Sequence, residues 1–298
     1  MGLRGSICSP FIGLATFVAI AWPAAALEPE QVFEKSSPRA VTVLALDTAP
    51  TTASPDQVVS ASSPMGKADR AALMVELRRL ARDEGFLIGI NPYPPGTAAY
   101  ANQNKFLTTV FSNERFIERF TASISEQSIP GEDYEAISRE LMMNWMMAGF
   151  RRLDDSDRES LLALYRKTLD YGSPEQCAAM IRGDPLDLVS GQLIAKMDAF
   201  DVEAYYAVIK RALFAELEEK PEPTLTQEQR QLAQQALAGW AKGLDPSEAQ
   251  RFRAAFSDLS NAPDSELCWS GKKMMDGILK LQGEPRDWLI RLYFTRLK

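Results

Sequence analysis

Beyond residue 66 the apolar residues of this chain recur at helical spacing. In residues 67–84, Leu73, Leu77 and Leu80 stand at i, i+4 and i+7 with the charges largely opposite, and Gly85 supplies a stop. A short apolar run, 86–90, meets Asn91-Pro92-Tyr93-Pro94-Pro95-Gly96, which must be a turn or extended loop. Helical patterning resumes at Thr97 and continues to Glu126, with a break expected near Ser112-Asn113 and with Phe106, Val110, Ile117 and Phe120 inside. Pro130-Gly131-Glu132-Asp133 opens another helix with acids in its first turn. Its second half, 141–150, is apolar on every face except Asn144, as in a helix surrounded by protein. Further helices are predicted over 185–199, 202–219, 227–242, 245–260, 266–281 and 286–297. Tyr205, Val208, Ile209 and Leu213 form the buried face of one, and Trp288, Leu289, Leu292 and Tyr293 that of the last. The fold class is all-α.

Within this pattern one stretch is repeated. Residues 153–177 align without a gap on residues 244–268, with identities at Leu153/Leu244, Asp154/Asp245, Ser156/Ser247, Ala163/Ala254, Glu175/Glu266 and Cys177/Cys268. Chance would supply about one or two. Both copies begin with helix-starting chemistry: Asp154 or Ser156 as N-cap in one, Asp245-Pro246 in the other. Ser156 with Glu159, and Ser247 with Gln250, have capping-box spacing. A turn follows, and the cysteine falls in the first turns of a new helix. Two tandem copies of a three- to four-helix unit are therefore expected, 130–220 and 221–298, packed as a short α-solenoid or pseudo-symmetric bundle. Residues 220–226, Lys-Pro-Glu-Pro-Thr-Leu-Thr, form the connector, and the helices of 67–129 would cap the array.

The start of the chain reads differently. Arg4, the apolar run 11–22 and Ala24-Ala25-Ala26 form a signal-peptide pattern over residues 1–26 with cleavage expected after Ala26, hence a periplasmic or secreted protein without a membrane span after cleavage. Residues 48–66, rich in Thr, Ser, Ala and Pro, read as a linker within an N-terminal segment of 27–66. Export explains the cysteines that remain. Cys177 and Cys268 occupy equivalent positions, and equivalent residues near a pseudo-twofold axis face one another, so a Cys177–Cys268 disulfide is expected in an oxidising compartment.

Composition narrows the chemistry. With 33 Lys+Arg against 40 Asp+Glu the formal net charge is −7, which disfavours nucleic acid as a partner. The chain contains no histidine, which removes Ser-His-Asp and Cys-His activation, histidine acid–base catalysis and histidine metal sites. No phosphate-cradling glycine loop or dinucleotide fingerprint occurs, and no cofactor or metal is expected. Three local patterns merit tracing. Ser270 and Lys273 have Ser-x-x-Lys spacing, without the Ser-Asp-Asn and Lys-Thr-Gly elements that accompany it. Asp155, Asp157 and Glu159 alternate as in a calcium loop, but Ser160 stands where glycine turns the loop and Arg166 where the bidentate acid belongs; helix capping is the better reading. Trp240, Trp269 and Trp288 are candidate interface anchors, with core packing as the alternative.

Two short resemblances complete the reading. Residues 30–47, a short helix and Ser-Pro leading into a strand with Val41, Val43 and Leu44, resemble the opening segment of periplasmic Deg-type trypsin-like proteases, although no Gly-x-Ser-Gly segment follows. That resemblance implies a relic of a protease fusion rather than protease activity. Glu159-Ser160 on a helix resembles the Glu-Ser of lytic transglycosylases, whose Gly-Leu-Met-Gln is missing here. The functional expectation is a non-catalytic helical module that binds a protein partner in the cell envelope, as adaptor, inhibitor, immunity protein or envelope-assembly factor. The alternative is a carboxylate-dependent cell-envelope glycan hydrolase using Glu159.

Overall fold

The computed structural model describes residues 67–126, 134–182 and 193–295. The signal-peptide pattern, the segment 27–66 and its expected strand lie outside them. The described residues form twelve helices and no strand. These are α1 (Lys67–Leu80), α2 (Glu84–Gly89), α3 (Ala98–Phe111), α4 (Glu114–Glu126), α5 (Tyr134–Arg152), α6 (Asp155–Tyr171), α7 (Pro174–Arg182), α8 (Ala199–Leu217), α9 (Gln227–Lys242), α10 (Pro246–Ser257), α11 (Asp264–Lys280) and α12 (Glu284–Thr295). No helix among them is long and apolar enough to cross a membrane.

Short polar side chains set most of the boundaries, by accepting hydrogen bonds from the otherwise unpaired N–H groups of a first turn. Asp83 accepts from the Phe86 amide and starts α2, so α1 stops at Leu80 and Gly85 lies inside the next helix rather than ending the first. Asn113 accepts from the Phe116 amide, which produces the expected break between α3 and α4. Asp198 accepts from the Asp201 amide and starts α8. The helix expected over 185–199 therefore does not run through to Ala199: Leu193 and Ile194 are helical, the chain turns at 195–197, and 183–192 lie outside the described residues. At the other end of α8 the chain reverses through Glu219, whose φ of 53° lets the Lys220 amide donate to the Ala215 carbonyl.

The core is continuous from α1 to α12. Its centre is the α5–α8 pair, with α3, α4 and α6 also packed on α8. Gly149 permits that pairing, because a Cβ there would overlap the Ala212 carbonyl. Met142, Trp145, Met146, Met147 and Phe150 of α5 are buried and Asn144 is exposed, as the all-round apolar pattern predicts. Phe111, Phe116, Phe120 and Trp145 join α3, α4 and α5 through edge and stacked ring contacts of 5.4–6.5 Å. Nearby, the buried Glu216 carboxylate accepts from Arg119 (2.5 Å) and Arg152 (2.7 Å), and Arg119 lies over the Trp145 ring. Two donors satisfy a carboxylate that burial would otherwise penalise.

The last four helices build a second layer on the first. α9 pairs with α12, α7 with α11, and α12 reaches back to α5 and α6. Phe150 and Phe294 meet across that junction at 6.1 Å. At α7–α11, Gly271 admits the Ile181 side chain where a Cβ would collide with it.

Candidate functional site

The start of α6 carries the acids that the sequence singles out; Asp154 caps the helix, and Asp155, Asp157 and Glu159 each meet an arginine. Asp154 is the N-cap, its carboxylate accepting from the Asp157 amide at 2.8 Å. Asp155 accepts from Arg291 of α12 (2.7 and 2.5 Å) and from Arg158 (2.9 Å). Hydrogen bonds from Arg291 hold the Asp155 carboxyl below the usual carboxylate range. Asp157 accepts from Arg211 of α8 at 2.7 and 2.6 Å. Glu159 accepts from Arg286 of α12 at 2.9 Å. Arg158 is buried, donates to Asp155 and to the Arg151 carbonyl, and has its pKa pushed down by burial.

This arrangement settles the local chemistry of the three acids. They are clamps from α6 to α8 and α12, not a calcium loop, and the capping role belongs to Asp154. The Ser156/Glu159 and Ser247/Gln250 boxes do not form. α6 and α10 each begin two residues earlier than those serines require, at Asp155 and Pro246, and Asp245 makes no side-chain cap hydrogen bond. Full capping boxes form instead at α7, between Ser173 and Gln176, and at α9, between Thr226 and Gln229, each residue satisfying the other's backbone amide. Ser160 beside Glu159 donates to the Ser156 carbonyl along its own helix.

Ser270 and Lys273 are not brought together either. Ser270 is fully buried, and its hydroxyl makes no hydrogen bond. Lys273 donates to Glu248 at 2.8 Å and lies beside the Trp269 ring. Lys273 therefore has no contact through which to activate the serine. Among the described residues no group of three or more acids or cysteines is arranged to hold a metal ion.

Cys177 and Cys268 do meet. Both are buried at α7–α11, with Sγ atoms 2.08 Å apart, the separation of a disulfide, and Cα atoms 5.3 Å apart. Arg182 reinforces the same junction, donating to the carbonyls of Leu259 and Ala262 and pairing with Asp264 at 2.7 Å. The tryptophans are partly buried rather than displayed. Trp240 meets Phe252 edge-on, Trp269 lies under the Arg251 guanidinium, and Trp288 packs on the core.

A groove of about 400 Å³ opens between the 222–225 connector, α9 and the end of α12. Leu225 and Leu292 provide apolar lining, with Pro223, Gln234 and Thr295 around them. Glu222 on its rim pairs with Arg151 at 3.3 Å, while Arg230 has no carboxylate partner among the described residues. The composition of 220–226 marks a boundary, and its alternation of prolines with Leu225 is the sign in the sequence that the connector builds a surface. Comparison with family models, with curated proteins and with solved structures finds no match to this chain.

Proposed function

We propose that this chain is an exported periplasmic helical protein that binds another macromolecule of the cell envelope without catalysing a reaction. The observation that carries the reading is the groove between the connector, α9 and α12. It offers an apolar lining at Leu225 and Leu292 with an exposed Arg230 on the rim. Such a surface suits an extended segment that inserts an apolar side chain and presents a carboxylate to the arginine. The pairing of Asp155, Asp157 and Glu159 with arginines supports the same reading, since these acids hold helices together. A covalent Cys177–Cys268 bridge would fix α7 to α11, which also touches the groove-forming α9 and α12, as suits a protein working outside the cytoplasm.

The test is site-specific photo-crosslinking in the periplasm, with a photoreactive residue at Gln234 in the groove and, as control, at the exposed Gln250 on α10. A discrete adduct at Gln234 and none at Gln250 is expected. The reading is abandoned if Gln234 gives no adduct, or if the protein clears peptidoglycan in a zymogram and Glu159→Gln abolishes the clearing.

A further inference from the structure

The outward face of α8 carries a stripe with two unusual properties. Phe200, in its first turn, is 78% exposed, the most exposed large apolar side chain among the described residues. Phe200, Glu203, Ala207, Lys210 and Phe214 then follow at alternating spacings of three and four, the seam of a helix that packs on another helix. The rest of α8 is committed inward to α3, α4, α5 and α6. The sequence of the stripe is also nearly palindromic: aromatic, acid, small, base, aromatic.

We infer that this face binds a second copy of the same chain, α8 against α8 in antiparallel orientation about a twofold axis at Ala207. A twofold contact must be self-complementary, each residue meeting the partner of its own counterpart. Antiparallel pairing about Ala207 meets that condition. Phe200 of one copy lies on Phe214 of the other, Glu203 opposes Lys210, and the two small Ala207 residues allow the helices to approach. The two pairings require axes half a residue apart, about 0.75 Å at the helical rise, which ordinary side-chain adjustment absorbs. Within one copy Glu203 and Lys210 are two turns apart and cannot pair, and neither has an ion-pair partner among the described residues. Lys105 of α3 flanks the stripe, also without a carboxylate partner. It helps line a shallow cleft of about 70 Å³ beside Glu203, Tyr206, Ala207 and Lys210. Glu203 arriving from the second copy would thus face two lysines. The exposed Phe200, otherwise left in water, finds its apolar cover in the same contact.

Sedimentation of the full secreted chain across a concentration series provides the test, with circular dichroism confirming that each variant keeps its helix content. The wild type should form dimers. Glu203→Lys alone and Lys210→Glu alone should each raise the dimer Kd at least about tenfold, and the double charge exchange should return it to within about threefold of wild type. That recovery is expected only if the two residues pair between copies. A wild-type chain that stays monomeric throughout the series overturns the inference. So does a dimer indifferent to either single reversal, or a double variant no better than the single ones.

Discussion

α6 and α10 start alike and end in different surroundings. Both follow a Leu-Asp pair and lead through a turn to a cysteine-bearing helix, and the two cysteines are 91 residues apart. At that same offset the buried residues of α10, Phe252, Ala255 and Phe256, coincide with Leu161, Leu164 and Tyr165 of α6, which are also buried. One face is thus shared. α6 has a second buried row, however, in Arg158, Leu162 and Leu169; at the matching places α10 has Ala249 and Arg253, and Ser260 falls in the turn beyond its end. The second row lets α6 pack against α8, α11 and α12 at once, whereas α10 rests mainly on α11. Matching caps and turns define where a helix begins; the number of apolar rows decides how deep it lies.

Several variants sharpen or break this contrast. The largest effect is expected where the two regions join. Replacing both cysteines by serine should cost about 4–5 kcal/mol in the chain-entropy model for a loop of this length, or somewhat less. Urea unfolding of the oxidised wild type against the double serine variant measures it. Next, Leu162→Ala in the second row of α6 should destabilise by about 2–5 kcal/mol. Arg253→Ala at the matching place in α10 should change stability by no more than about 0.5 kcal/mol. Equal costs for the two would erase the distinction between a two-faced and a one-faced helix.

The same contrast has a pH signature. Tyr165 of α6 is buried with its hydroxyl donating to the Met180 carbonyl, and burial pushes its pKa far up; Phe256 at the matching place has no proton to lose. Burial likewise pushes Tyr93 up to about 12. A raised folded-state pKa means that the stabilisation is complete below the ordinary tyrosine value near 10 and is lost as pH rises through the folded-state value. Alkaline unfolding should therefore begin above pH 10 and be well advanced at about 12, with the tyrosinate absorbance of Tyr93 and Tyr165, read as the difference between wild type and the Tyr93→Phe and Tyr165→Phe variants, rising together with loss of helix content. A tyrosinate signal from these two rings near pH 10 with full helix content would show that they are accessible. A smaller effect of opposite sign belongs to the connector that separates the two regions. Glu219 holds a left-handed φ of 53°, so Glu219→Gly should stabilise by about 1 kcal/mol, read as a rise in the urea midpoint.

Much of the fold was legible because helical periodicity and short polar caps act locally. The all-α class, the break at Ser112-Asn113, the core position of α5 and the bounds of α9 all follow from such signals, whereas the meeting of Cys177 with Cys268 is read from their equivalent places in the repeated stretch. The partners of α6 were not legible. Asp155, Asp157 and Glu159 look like capping or metal-binding acids when only their neighbours in sequence are considered. Their arginines come from 54 residues away at Arg211, 127 at Arg286 and 136 at Arg291, and no local spacing announces them. The groove was hidden for a similar reason. Leu225 and Leu292 come from a connector and a terminal helix, which only tertiary packing brings side by side.

The measurement that tests the joining of the two regions most directly is non-reducing peptide mapping of the protein folded under oxidising conditions. One cross-linked species containing the Cys177 and Cys268 peptides is expected, converted to its two parts on reduction. Free thiols at both positions in the folded protein would contradict it.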